Sequence, residues 1–248
     1  MLEIKDLSLT LGKKQILSHI SFALKKNEIL CILGKNGSGK SSLLKCLLGI
    51  WDNYSGEILV NGANMAHLSY RQRAQRFAYL PQSCNIAFLF SLLEVVMMGR
   101  FASANLNYTK ADEKIALNAL ELLGIADFKD AKFYNLSGGQ KQLGLFARAL
   151  AQDAEIMILD EPISALDLGA CANLLRVIKN LGKTIILTSH RPEQCFIAHK
   201  VCLLKDGEFL GFGESGAMLD SRNINALYGV DSGFVELPDK SKYFYVKQ

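Results

Sequence analysis

The chain has 248 residues, half of them hydrophobic, and a formal net charge of +4. That length and apolar content suffice for one substantial core with a subdomain, and so small and thinly spread a charge argues against a nucleic-acid partner. The longest apolar stretch, residues 86–98, is interrupted by Ser91 and Glu94 and is too short to span a bilayer.

Met1-Leu2-Glu3-Ile4-Lys5-Asp6 does not read as a signal peptide. A chain soluble by itself and working in the cytoplasm is therefore expected, with room for a membrane-bound partner. Residues 2–11 alternate as a strand through Leu2, Ile4, Leu7 and Leu9; Gly12-Lys13-Lys14 is a turn, and residues 16–24 form a second strand region. Ile29-Leu30-Cys31-Ile32-Leu33 reads as a buried strand, and Leu43-Leu44-Lys45-Cys46-Leu47-Leu48 as the first turns of a helix. After a break at Tyr54-Ser55-Gly56, residues 57–60 form a strand closed by Asn61-Gly62, a hairpin signal. Residues 69–76 read as a short polar helix. Its run Arg71-Gln72-Arg73-Ala74-Gln75-Arg76 is the densest basic stretch, and with no aromatics interleaved it reads as an exposed helix face. Residues 77–80 form a strand ending at Pro81-Gln82.

From there the spacing turns helical, over 92–100, 110–123 and 137–152, with no convincing strand between. Strand character returns at 156–159, 184–187 and 201–204, with helices in the gaps. Alternating strand and helix predicts a parallel sheet with covered faces. The fold class is therefore α/β, with a mixed sheet core, a helical subdomain and an N-terminal antiparallel β region. Residues 1–83 and 151–205 are assigned to the core, 84–150 to the helical subdomain and 206–248 to a C-terminal tail. Six cysteines (31, 46, 84, 171, 195 and 202) show no C-x-x-C spacing and sit mostly in apolar runs, as small core residues of a reducing compartment do.

Between the strand at 29–33 and the following helix lies Gly34-Lys35-Asn36-Gly37-Ser38-Gly39-Lys40-Ser41-Ser42, which fits the phosphate-binding pattern G-x-x-x-x-G-K-[ST]. The glycines let backbone N–H groups ring a phosphate, and the helix N-terminus adds its partial positive charge. Lys40 would reach the β- and γ-phosphates, and the Ser41 hydroxyl would hold Mg²⁺. Ile156-Met157-Ile158-Leu159 runs into Asp160-Glu161. Beside a nucleotide, Asp160 can hold Mg²⁺ through water, and Glu161 can deprotonate the water that attacks the γ-phosphate. Leu136-Ser137-Gly138-Gly139-Gln140 opens a helix whose predicted core face is Leu143, Phe146, Ala147 and Leu150. With Ser137 at the N-cap, it is a second phosphate-binding helix start. One nucleotide needs one such loop, so the second implies an interface between two copies.

These motifs together resemble the ATP-binding subunits of ABC transporters, over the whole length of the chain. Residues 34–42 are similar to the Walker A loop, 156–161 to the Walker B strand and 136–140 to the family signature. Gln82 resembles the glutamine that senses Mg²⁺ and the attacking water; Ser164-Ala165-Leu166-Asp167 resembles the D-loop; His190 resembles the switch histidine that contacts the γ-phosphate. The resemblance implies a P-loop NTPase of the ABC ATPase type. It further implies catalytic roles for Glu161, His190 and Gln82, metal contacts from Ser41, Gln82 and Asp160, and nucleotide contacts from 34–42, 136–140 and Asp167. It also implies ATP and Mg²⁺ as cofactors, and a head-to-tail pair of copies with ATP between the Walker A loop of one and the signature of the other. Permease subunits in the membrane, a substrate-binding protein beyond them and a peripheral place on the cytoplasmic face of the inner membrane follow from the same likeness. His19, His67 and His199 read as structural.

Leu92-Leu93-Glu94-Val95-Val96-Met97-Met98-Gly99-Arg100 and Ala226-Leu227-Tyr228-Gly229-Val230 resemble importers of iron–siderophore, haem and cobalamin, a group that also carries molybdate and nickel or cobalt complexes. The resemblance favours ferric chelates as cargo. Its alternatives are an exporter subunit and a non-transport ATPase of DNA repair or translation; those repair enzymes carry a long coiled coil and those translation factors two cassettes, neither of which this chain has. Phe88, Leu89, Phe90, Leu92, Val95, Val96 and Met98 are too many apolar residues for one short helix, so some are expected on a docking patch. Leu11 stands where the family places an aromatic under adenine, with Phe22 or an aromatic of the second copy as a substitute for that ring.

Overall fold

A computed structural model describes residues 1–82, 89–103, 107–236 and 242–247. Their contacts divide into two units, Met1–Leu68 with Lys183–Gln248, and Ser69–Gly182. The first begins with β1 (Leu2–Leu11), which buries Leu2, Ile4, Leu7 and Leu9 on one face, and β2 (Lys14–Leu24), antiparallel to it from Leu11↔Lys14 to Leu2↔Leu24. β3 (Ile29–Leu33) is buried at every position and leads through the phosphate loop into α1 (Lys40–Leu47). β4 (Tyr54–Val60) pairs with the other edge of β1 and turns through Asn61 (φ 50°) and Gly62 (φ 80°) into β5 (Ala63–Asn64). Both turn residues are left-handed, as the Asn-Gly pair predicts.

The second unit opens with α2 (Tyr70–Arg76) and β6 (Phe77–Leu80), followed by α3 (Leu92–Met97), which tightens into a 3₁₀ turn over Met98–Ala102. α2 buries none of its residues; Arg76 pairs with Glu155, and Arg73 lies over the Tyr70 ring at 5.7 Å. α4 (Lys110–Leu122) and α5 (Gly138–Ala151) complete the helical part, β7 (Ile156–Leu159) runs parallel to β6, and α6 (Leu168–Asn180) closes the unit. Phe146 and Ala147 are fully buried on α5, as predicted, but Leu143 and Leu150 are only half-buried, whereas Gln142, Leu145, Ala149 and Ala151 are enclosed. The reason is tertiary: α3, α4 and β6 all pack on α5, so its buried face is wider than one helical stripe and turned from it. Leu92, Val95 and Val96 of α3 fill that core. Arg100 ties the layer together, donating from Nε to Asp112 Oδ1 at 2.9 Å and from Nη1 to the Ala151 carbonyl at 2.7 Å.

The chain then returns to the first unit. β8 (Thr184–Ser189) and β9 (Lys200–Lys205) flank β3 on its two edges, both parallel to it, which explains why β3 is apolar on both faces. β10 (Glu208–Glu214) turns back antiparallel on β9, giving the mixed sheet that was expected. The tail, whose role the sequence left open, forms α7 (Ser215–Met218), α8 (Ser221–Tyr228) and a hairpin of β11 (Ser232–Glu236) and β12 (Lys242–Val246). Phe244 stacks on Phe196 at 6.2 Å and pins the hairpin to its own unit. Cys31, Cys46, Cys195 and Cys202 are buried and Cys171 half-buried; Cys84 lies outside the described residues. Burial pushes the Cys46 thiol up to about 12 and raises those of Cys195 and Cys202, so these groups are packing residues rather than nucleophiles.

Candidate functional site

In the first unit the phosphate loop starts where β3 stops. Gly34 N–H donates to the Ser189 carbonyl at 3.2 Å, and a Cβ on Gly34 would lie 2.4 Å from the Leu204 carbonyl, so only glycine passes there. Gly39, at φ 105°, is the N-cap of α1 and offers no side chain to its first turn. Elsewhere α2, α3, α4 and α5 begin with reciprocal capping boxes, and α6 and α8 with an aspartate cap. The N-terminus of α1, with no acidic residue in its first turn, thus lacks the side-chain anion that other helices of this chain supply for themselves. Lys40 is buried and folds back over the loop, its Nζ donating to the carbonyls of Gly34 at 2.8 Å and Lys35 at 3.1 Å. Ser38 Oγ is buried without a hydrogen-bond partner among the described residues, an orphaned donor inside the loop. Ser41 and Ser42 are half-buried at the start of α1. An uncapped helix start, a lysine and one unspent buried hydroxyl together fit a phosphate chain.

His190 follows β8 in the same unit and is half-buried. Phe22 packs on Phe209 and Phe212, with ring centroids at 5.9 Å in each case, and is 6% exposed. Its ring is therefore committed to the core and does not serve as a stacking platform. Leu11 stays half-buried at the end of β1. His199 is structural, as read: its Nδ1 accepts the Ile29 N–H at 3.0 Å.

In the second unit the four apolar residues of β7 deliver Asp160 and Glu161, which are 3% and 8% exposed. Asp160 N–H donates to the Leu80 carbonyl at 2.9 Å, carrying the β6–β7 pairing to the strand end. Its charge, after burial, raises the Tyr79 hydroxyl to about 12, so that phenol keeps its proton. Glu161 has φ 48°, an uncommon conformation for a residue with a side chain. The structure brings Gln82 to it: Gln82 Nε2 donates to Glu161 Oε2 at 3.2 Å. Within this unit Asp160 and Gln82 present oxygens, the donor type that suits Mg²⁺.

At the start of α5, Ser137 Oγ accepts the Gln140 N–H at 3.2 Å and Gln140 Oε1 accepts the Ser137 N–H at 2.9 Å. This S-x-x-Q box was readable in the sequence as a cap. Ser137 and Gly138 are exposed, a Cβ on Gly138 would meet nothing within 4 Å, and Leu136 is buried beneath them. Asp167 is exposed and caps α6 by accepting the Ala170 N–H at 2.9 Å. One contributor escaped the motif reading. Gln142 is 4% exposed and its Nε2 donates to the Pro162 carbonyl at 3.1 Å, joining the signature helix to the segment after Glu161. It lies to one side of the predicted face Leu143, Phe146, Ala147 and Leu150, so its position in the sequence did not single it out.

The apolar run after Gln82 divides. Leu92, Val95 and Val96 are core, Phe90 and Met98 are half-buried, and Leu89 is 68% exposed; Phe88 lies outside the described residues. Phe101 and Tyr70, which the sequence did not flag, are also exposed.

Residues 17–164 match the family described as ABC transporter. The chain is 38% identical to the "Probable iron chelatin transport ATP-binding protein" of Helicobacter pylori, over 92% of each chain. It is 37% identical to the molybdate import ATP-binding protein MolC of Haemophilus influenzae, over 86% of this chain and 81% of that one. The hemin import ATP-binding protein HmuV of Bartonella quintana is 33% identical over 100% of this chain and 98% of its own. Among solved structures, an inward-facing ABC transporter assigned to the metal-chelate type superposes with a TM-score of 0.86 at 32% identity, covering 100% of this chain and 97% of that one. The dimeric ATP-binding cassette MJ0796, in a post-hydrolysis state with ADP and Pi, superposes at 0.78 with 26% identity, over 87% of this chain and 99% of its own.

Proposed function

The chain belongs to the ABC transporter family, and on that premise we propose that it is the ATP-binding subunit of an importer of iron(III) chelates: siderophore, ferric citrate or haem. Its fold is that of the ABC ATPases, and it binds and hydrolyses ATP. The observation that supports iron is the likeness, over nearly the full length of each chain, to proteins named for iron chelatin and hemin transport. A second reading, molybdate, is favoured by the comparable likeness to MolC. In the proposed assembly two copies pair head to tail beneath permease subunits at the cytoplasmic face of the inner membrane, and a substrate-binding protein supplies the cargo. Residues 1–248 act as one ABC ATPase domain, with 1–83 and 151–205 as nucleotide-binding core, 84–150 as helical subdomain and 206–248 as tail.

The residues take the following parts. Backbone N–H groups of 34–42 and the start of α1 hold the triphosphate, and Lys40 swings from its own loop carbonyls to the β- and γ-phosphates. Ser41, Asp160 and Gln82 would hold Mg²⁺, which would neutralise charge on the phosphate oxygens. Glu161 accepts a proton from water as its oxygen bonds to the γ-phosphorus and the bond to the β–γ bridging oxygen breaks. Gln82, already bonded to that carboxylate, orients it. His190 contacts the γ-phosphate, and residues 136–140 with Asp167 of the second copy cover it from the opposite side.

The test is uptake by the subunit reconstituted with its permease and binding protein in proteoliposomes. Ferric chelate or haem is expected to accumulate in an ATP-dependent way and to stimulate phosphate release. Stimulation by molybdate, cobalamin or nickel and cobalt complexes, but by no ferric chelate, would replace iron with that cargo. No binding to any permease would overturn the transport role.

A further inference from the structure

The geometry points to Tyr228, in the C-terminal tail, as a positioning residue for the switch histidine. The inference rests on the role proposed for His190 above. His190 sits at the exit of β8, and its two flanking peptide planes decide where its imidazole points. The plane before it is held through the Ser189 carbonyl, which accepts the Gly34 N–H at 3.2 Å. The plane after it is held at both ends. Its N–H, from Arg191, donates to Ser189 Oγ at 2.9 Å; its carbonyl, of His190 itself, accepts the Tyr228 hydroxyl at 2.7 Å. Beyond it, the Arg191 carbonyl accepts the Gln194 N–H at 3.2 Å. Three anchors are local to the loop or to the neighbouring strand. The Tyr228 hydroxyl reaches the loop from 38 residues away.

That hydroxyl is itself well fixed. Tyr228 is the last residue of α8, whose start is capped by Asp220 accepting the Asn223 N–H at 2.7 Å. Its end is closed by Gly229 at φ 64°, with the Gly229 N–H donating to the Asn225 carbonyl at 2.7 Å. Lys205 Nζ, on β9, donates to the Ala226 carbonyl at 2.9 Å, and the Asn225 side chain accepts the Ser232 N–H at 2.7 Å. Ile224 and Leu227 are buried on the inner face. Tying the helix to β9 and β11 places a rigid donor against the loop; a hydrogen bond from a mobile tail would not fix a torsion. The bond constrains ψ of His190 and with it the direction of its Cα–Cβ bond. A catalytic side chain displaced by about 1 Å loses up to about 10²-fold in rate, so a backbone anchor at this residue acts on turnover.

Tyr228→Phe removes the donor and keeps the ring. In the permease complex it is expected to lower kcat for ATP about 3- to 10-fold, with KM for ATP unchanged and the unfolding temperature lowered by no more than about 2–4 °C, the scale of one lost hydrogen bond. In a His190→Ala background, followed through its residual turnover, the same change is expected to do nothing more, because the anchored side chain is gone. Unchanged kcat in Tyr228→Phe, or an equal loss in both backgrounds, would overturn the inference while leaving His190 in its role. Normal turnover in His190→Ala alone would remove His190 from the reaction and overturn both.

Discussion

Replacing Glu161 by glutamine separates chemistry from folding at one buried position. The carboxylate is 8% exposed and accepts a hydrogen bond from Gln82 Nε2 at 3.2 Å. Glutamine has nearly the same volume and keeps an oxygen that can accept that bond, and it meets the same backbone, φ 48°. At that contact a charge-assisted bond becomes neutral, a loss of about 1 kcal/mol, or about 2–4 °C in unfolding temperature for a chain of this size. Loss of a general base costs about 10²- to 10⁴-fold in rate, which is about 2.7–5.4 kcal/mol in the barrier. The catalytic loss therefore exceeds the structural one severalfold. The variant is expected to bind ATP normally, to stop hydrolysing it and to accumulate as an ATP-bound dimer. Phosphate release by the permease complex at saturating ATP, thermal unfolding and light scattering with ATP report the three quantities. Turnover within about threefold of wild type would remove Glu161 as the base, since that is far below the general-base scale. Lost ATP binding together with a fall in unfolding temperature well beyond about 4 °C would mean the site had misfolded instead.

Leu11→Tyr is expected to tighten ATP binding by about 0.5–1.5 kcal/mol if the new ring stacks on adenine, because Phe22 is spent in the core; ATP and GTP dissociation constants of both forms check it, and strong wild-type preference for ATP with no gain in the variant would refute it. Gly99→Ala places a Cβ 2.2 Å from the Arg148 carbonyl of α5, so the 3₁₀ turn and the helix must separate, with an expected loss of about 1–3 kcal/mol read by denaturant unfolding. Asp112 has its carboxyl lowered from 3.8 to about 2, first by its hydrogen bonds with Thr109 and then by that with Arg100; the depressed value means its stabilising effect is complete above the usual carboxylate range and is lost as pH falls through about 2. Asp112→Asn should flatten that part of the acid-unfolding curve followed by circular dichroism. Leu89→Glu, on a residue 68% exposed, is expected to leave the isolated subunit folded and to uncouple ATPase from transport; unchanged coupling would return the exposed leucine to ordinary surface.

The segments legible in the sequence were those whose signal is local. The phosphate loop announces itself because glycine spacing, a lysine and the flanking strand and helix lie within a few turns of one another. Asn61-Gly62 foretold its hairpin for the same reason, since two left-handed residues in succession admit few alternatives. The N-cap at Ser137 is equally local, a side chain reaching its own helix. What failed depended on neighbours distant in sequence. Leu143 and Leu150 fit a helical stripe, yet α3, α4 and β6 decide which side of α5 is enclosed. Phe22 looked available for a base until β10 brought Phe209 and Phe212 against it.

The sequence by itself determined the alternating α/β order, the phosphate loop and the acidic strand end, because each depends on residues whose backbone torsions and spacing act over fewer than about ten positions. Only the tertiary structure decided that Gln82 reaches Glu161 and that the tail's Tyr228 hydroxyl reaches the His190 carbonyl. Those hydrogen bonds close across 79 and 38 residues of chain. No local torsional preference encodes such a contact. It exists because strands β6 and β7 align two chain ends, and because buried Ile224 and Leu227 seat α8 beside the loop.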